Sequence, residues 1–185
     1  MRVREFEFLI TGVLTGWSRS DVDQRTRRLR KMRMLPTGGR GLNAPAIEAE
    51  HAANILIALA AAEKAVGVHD AIMNYAPMVT RPRSPGDFDF LGCKSFAETL
   101  TKILDTPAVA NRIKEISICR SWPEATIIYQ TSEGESKQEH YTPAGQSASG
   151  CLVQNNIVIS GMVLEQFAID LKQPNEDGEW VDHVE

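Results

Sequence analysis

Apolar and polar positions in the first third of the chain recur at helical spacing in three successive runs. Phe6, Leu9, Ile10 and Val13 predict a short helix over 4–14, broken at Thr15-Gly16-Trp17, where Gly16 suits a turn. Ser18 or Ser20 caps a second helix, 19–33, with Asp21 and Asp23 complementing the positive end of its dipole. Met34-Leu35-Pro36 stops that helix, because the residue before a proline disfavours the helical region. Thr37-Gly38-Gly39-Arg40-Gly41 then predicts a tight hairpin, and Asn43 with Pro45 opens a third helix. Its apolar face runs through Ile47, Ala52, Ile55, Leu56, Leu59, Ala62 and Val66. This is more apolar surface than a small head needs. It serves either as a dimer contact or as a core helix of the same domain. Gly67 ends it, and 68–76 adds a further short helix.

Residues 77–92, PMVTRPRSPGDFDFLG, hold three prolines and two glycines and predict a linker. Ser95 and Glu98 form a capping-box pattern heading a helix through Leu104, with Phe96, Leu100, Ile103 and Leu104 inside. Thr106-Pro107 starts a shorter one with Val109 and Ile113 inward. Ile116–Cys119 and Ala125–Thr131 are rich in β-branched residues and predict strands, joined through the turn Ser132–Glu135 to a return strand, Ser136–Thr142. The polar character of SKQEHYT places that strand at an edge or facing water. A Gly/Ser/Ala loop, 143–150, precedes a strand or helix entry at Ile157–Ile159. A last helix carries Val163, Leu164, Phe167, Ala168 and Leu171 at helical spacing, before an acidic tail.

The expected fold class is therefore α+β. A mostly helical head, 1–76, is followed by the linker 77–92, a small α+β domain with a β-hairpin over 93–173, and the tail 174–185. Composition agrees with a soluble globular chain: 43% hydrophobic and 24% charged. The apolar stretches are too short for a signal peptide or a membrane span, which needs roughly 20 residues, and the expected location is the cytoplasm. Cys93, Cys119 and Cys151 are widely spaced and form no CxxC pair, consistent with buried reduced thiols.

Charge changes the picture more than composition does. Residues 1–45 hold ten Lys/Arg and four Asp/Glu, net +6, while 46–185 hold ten and twenty, net −10. From Arg25 to Arg33 six cations occur in nine residues: Arg25, Arg27, Arg28, Arg30, Lys31 and Arg33. At 100° per residue Val22, Thr26, Leu29 and Met32 share one side of the second helix. Gln24, Arg27, Arg28 and Lys31 share the other, with Asp23 and Arg30 at its flank. Arg25 and Arg33 lie beside the apolar stripe, where they snorkel or pair with carboxylates. Arg and Gln suit bidentate contacts to G and A, and clustered cations suit phosphates. A solvated charged helix is the plainer alternative.

Catalytic and metal patterns are missing from the sequence. His51 has no second histidine four residues on, Glu133, Glu135, Glu139 and His140 lie along a polar hairpin, and no P-loop, GxSxG or EF-hand motif occurs. Neither enzyme activity nor a metal or cofactor is expected.

Thr15-Gly16, helix 19–33, Met34-Leu35-Pro36, Arg40 in a glycine-rich tip and Ala44-Pro45-Ala46-Ile47 together resemble a winged helix-turn-helix of the MerR-like type. The resemblance covers residues 6–60. Its recognition segment is about one turn longer than the family's, it lacks the family's arginine-aromatic pair, and the effector-binding half has no counterpart. Small DNA-binding proteins of phages and prophages combine compact winged helices with unrelated tails in a similar way. The resemblance implies binding to double-stranded DNA, with a dimer favoured on a two-fold site. Gln24, Arg27, Arg28 and Lys31 would enter the major groove, while Arg19 and Arg40 hold phosphates. The expected function is a sequence-specific transcriptional regulator, such as one carried by a phage or mobile element. Alternatives are the DNA-recognition subunit of a phage packaging machine, or a protein-interaction module or inhibitor acting through residues 93–173.

Overall fold

The computed structural model describes residues 1–14, 16–38, 44–81, 89–146 and 154–173. Among the described residues the seven α-helices are α1 (Val3–Val13), α2 (Arg19–Lys31), α3 (Ala49–Ala61), α4 (Val68–Tyr75), α5 (Phe96–Asp105), α6 (Pro107–Ala110) and α7 (Gly161–Lys172). Five strands are β1 (Val79–Arg81), β2 (Ile113–Cys119), β3 (Glu124–Gln130), β4 (Ser136–Thr142) and β5 (Asn156–Ser160). They form one sheet in the order β1-β4-β3-β2-β5, antiparallel at every pairing.

Strand alternation sends Ile116, Ile118, Ala125, Ile127 and Ile159 into the core beneath the helices. Ser117, Thr126, His140 and Val158 fall on the opposite face and retain solvent exposure. The result is a mixed α+β arrangement.

The expected head and body share this core. Phe6 of α1 meets Phe167 of α7 edge-on, with ring centroids 5.2 Å apart. Within this core α3 is buried on every side: eleven of its thirteen residues are buried, and it packs against α2, α4, α5 and β2. A helix apolar all round belongs inside a core. Of the two readings of its long apolar face, the core helix is the one observed.

Several boundaries differ from the sequence expectation. The third helix begins at Ala49 and not at Pro45, because the preceding backbone is extended. Arg2 bridges Ala46, and the Ile47 N–H donates to the Met1 carbonyl at 2.9 Å. Glu48 then caps the helix reciprocally with His51, whose Nδ1 accepts the Glu48 N–H at 3.0 Å.

The predicted linker contributes β1, which pairs with Tyr141 and its neighbours, so the C-terminal half of β4 is interior and not an edge. Residues 89–93 of the same stretch are held by Asp89, whose Oδ1 accepts the Leu91 and Cys93 N–H groups at 2.8 and 2.7 Å. Its Oδ2 accepts the hydroxyls of Tyr141, at 2.9 Å, and Thr99. Burial keeps the Tyr141 phenol protonated far above its ordinary range. Ile113 opens β2 and is not part of the short helix before it.

Gly161 joins β5 to α7 with no intervening residue, and a Cβ there would lie 1.8 Å from the Ile113 carbonyl oxygen. Cys93 and Cys119 are buried free thiols, the former with its pKa raised by burial and then by the Asp89 charge. Cys151 lies outside the described residues. Among the described helices none is long and apolar enough to cross a membrane.

Candidate nucleic-acid interface

The turn before α2 depends on Gly16, whose φ of +109° is open to glycine at little cost. Ser18 caps the helix by accepting the Asp21 N–H at 3.1 Å, and its own hydroxyl donates to Asp21 Oδ2 at 2.7 Å. That second bond, with help from Arg25, lowers the Asp21 pKa.

Two interleaved rows then divide α2. Val22, Arg25, Thr26 and Leu29 are buried, and Gln24, Arg27, Arg28 and Lys31 are exposed on the other side. Each row has the spacing i, i+3, i+4, i+7 of one helix face. The outward row runs from Gln24 to Lys31, about 10 Å along the axis.

The inward row is held by polar contacts as well as packing. Arg25 is 3% exposed and its Nη2 donates to the carbonyls of Ala62, at 3.3 Å, and Glu63, at 3.0 Å. Its Nη1 reaches the Asp21 carboxylate and carbonyl at 3.3 and 3.2 Å. Arg120, at the start of the β2–β3 turn, donates from Nε and Nη2 to Ala60 and Leu59 at 2.8 and 3.0 Å. Two guanidiniums thus satisfy the orphan carbonyls at the C-terminus of α3, where the helix dipole favours positive charge. Burial lowers the Arg120 pKa, and repulsion from Arg25 lowers it further. On the other flank the buried Glu7 accepts the Thr26 hydroxyl at 2.5 Å and Arg30 Nη2 at 3.3 Å.

The outward row has fewer partners. Arg27 pairs with Asp23 at 2.9 Å, with 69% of its side chain exposed. Gln24 Nε2 donates to Ser20 Oγ at 3.2 Å. Arg28, Lys31 and, one turn earlier, Arg19 are exposed and form no ion pair among the described residues. The expected site residues Gln24, Arg27, Arg28 and Lys31 therefore share one face, while Arg19, the first residue of α2, lies about 130° round the helix from it. Arg40 and the hairpin tip fall at 39–43, outside the described residues.

The helix closes in a Schellman turn. Met34 N–H donates to Leu29 O and Arg33 N–H to Arg30 O, both at 3.0 Å, with Arg33 at φ +60°. Arg33 is the one non-glycine residue with positive φ among the described residues, at a position that glycine usually fills.

Sequence reasoning missed a cavity of about 690 Å³ beside this end of α2. Arg2, Arg4 and Arg30 line it together with Glu5 and Thr37. The alternating arginines of MRVRE were its visible signal, but their approach to Arg30 depends on how α1 packs on α2. Among the described residues no group of three or more His, Cys, Asp or Glu is placed to hold a metal ion. No protein-family model, curated protein or solved structure matches the chain.

Proposed function

We propose that the chain is a sequence-specific DNA-binding protein, a transcriptional regulator in which α2 lies in the major groove. The observation that carries this reading is the outward row Gln24, Arg27, Arg28 and Lys31 on a helix whose opposite row is locked into the core. A helix fixed on one side presents its other side without a large ordering cost, and the major groove, about 12 Å wide, admits a helix. Arg28 and Lys31 carry charge that no protein carboxylate neutralises among the described residues. Arg27 would exchange its exposed Asp23 contact for a phosphate or a base edge. Arg19 at the start of α2, and Arg40 from the glycine-rich wing, would hold the strands alongside.

A dimer on a two-fold site belongs to the same reading. Since α3 is enclosed within the chain, the contact between copies must lie elsewhere. The outer strand β5 is the better candidate, because Asn156–Ser160 contains neither charge nor proline to discourage pairing.

The test is fluorescence anisotropy of the full chain on a library of labelled duplexes, titrated across salt. With three or four phosphate contacts, log K should fall with log salt at a slope of about −3 to −4. Arg27→Glu/Arg28→Glu should keep its fold by circular dichroism and lose binding by about a hundredfold or more. Failure of the folded wild type to bind at low salt, or equal binding by the double variant, overturns the reading. Light scattering of the free and bound protein reports the stoichiometry.

A further inference from the structure

We infer that the cavity between the start of α1 and the segment after α2 is a binding site for a small organic phosphate, a phosphomonoester held by Arg2, Arg4 and Arg30. This goes beyond DNA binding and does not require it. Among the described residues three guanidiniums and one carboxylate, Glu5, line the space. Glu5 is already engaged, accepting the Arg2 backbone N–H at 2.6 Å and lying 3.7 Å from its guanidinium. Arg30 gives Glu7 a single bond, from Nη2, so its other N–H donors have no acceptor among the described residues. Arg4 is exposed and forms no ion pair there. A guanidinium has five donors in a planar fork that matches phosphate oxygens two at a time. The spare donors of Arg30 and Arg4 therefore call for an anion with several oxygens.

The site is anchored on the remainder of the fold. Arg30 is positioned by the buried Glu7, and the Arg2 backbone is fixed by its bridge to Ala46 and by the Met1–Ile47 bond. The first-turn N–H groups of α1 lack acceptors within their helix and add positive potential at the same mouth. Size indicates the remainder of the ligand. At about 690 Å³ the cavity is far larger than a phosphate ion and lies in the range of small-molecule pockets. Val3, Pro36 and Pro45 supply an apolar wall for an organic group, and Thr37 a hydroxyl.

The experiment titrates the full chain by calorimetry with a nucleoside 5′-monophosphate and with inorganic phosphate, at ionic strength held constant with chloride. The unphosphorylated nucleoside is the control. The expected result is saturable one-to-one binding of the monophosphate, no binding of the nucleoside, and weakening by about tenfold or more in Arg4→Ala. Arg28→Ala should bind the monophosphate as the wild type does. Arg4 is exposed, so its removal leaves the core intact, and a thermal melt checks this.

Competition with a short duplex distinguishes the phosphate's source. Simultaneous binding supports a site for a free phosphomonoester, whereas displacement by DNA assigns the pocket to a strand phosphodiester and overturns it. Absence of saturable binding by every phosphate, or binding unchanged in both Arg4→Ala and Arg2→Ala, overturns it. The DNA reading fails separately, through Arg27→Glu/Arg28→Glu.

Discussion

The inner and outer faces of α2 carry the same kind of residue to opposite ends. Arg25 is enclosed, bonded to the final carbonyls of α3, and acts as a structural cap. Arg28, three residues later, is exposed and forms no ion pair among the described residues. Counting cations along the sequence therefore overstates the charge available to a partner. Of the six between Arg25 and Arg33, Arg25 is committed to the fold, Arg30 gives one bond to the buried Glu7, Arg27 is loosely paired, and Arg28, Lys31 and Arg33 are unpaired among the described residues.

The strongest way to break this comparison is to truncate the inner face. Arg25→Ala leaves two carbonyls at a buried helix end without donors and should cost about 3 kcal/mol in urea denaturation. A loss equal to that of Arg28→Ala would show that burial makes no difference between them. Arg33→Gly should act in the other direction, raising stability by about 1 kcal/mol as left-handed strain at the Schellman turn is relieved. If the variant also binds DNA more weakly, the strained cation is serving the interface.

On the outer face, Arg27→Glu/Arg28→Glu should shift stability by no more than about 0.5 kcal/mol, since exposed charges contribute little. A larger loss would move these residues to the structural side of the divide. The smallest effect belongs to Asp21. Its folded pKa lies below the unfolded value, so its contribution is present above the ordinary carboxylate range and lost as pH falls through the folded value. Asp21→Asn should slightly lower stability above pH ~5, flatten the acid limb of the pH–stability curve, and leave stability below the folded pKa unchanged.

The two faces of α2 were legible because helical periodicity is local. Val22, Thr26 and Leu29 point inward and Gln24, Arg27, Arg28 and Lys31 outward, as spacing alone requires. The return strand 136–142 was legible for the same reason, through its turn and β-branched neighbours. What spacing cannot supply is the distant partner. Glu7 is an ordinary glutamate in the sequence and becomes a buried acceptor through Thr26 and Arg30. The strand β1 is three residues in a proline-rich stretch and exists by pairing with residues sixty positions later. The cavity arises in the same way, from segments near residues 2, 30 and 45 that meet through α1–α2 packing. The all-round apolar character of α3 was readable, but whether a second copy or the same chain covers it was not.

That enclosure of α3 has a consequence for how the molecule comes apart. A cut near residue 80 would leave the helix with α2 and α4 but without α5 and β2, exposing one side of a rod of alanine, isoleucine and leucine to water. The separated pieces should aggregate or fail to fold, and the intact chain should lose its near- and far-ultraviolet dichroism in one coincident transition. In hydrogen exchange, the slowest amides should be those of Ile55–Leu59, released only when the whole chain opens.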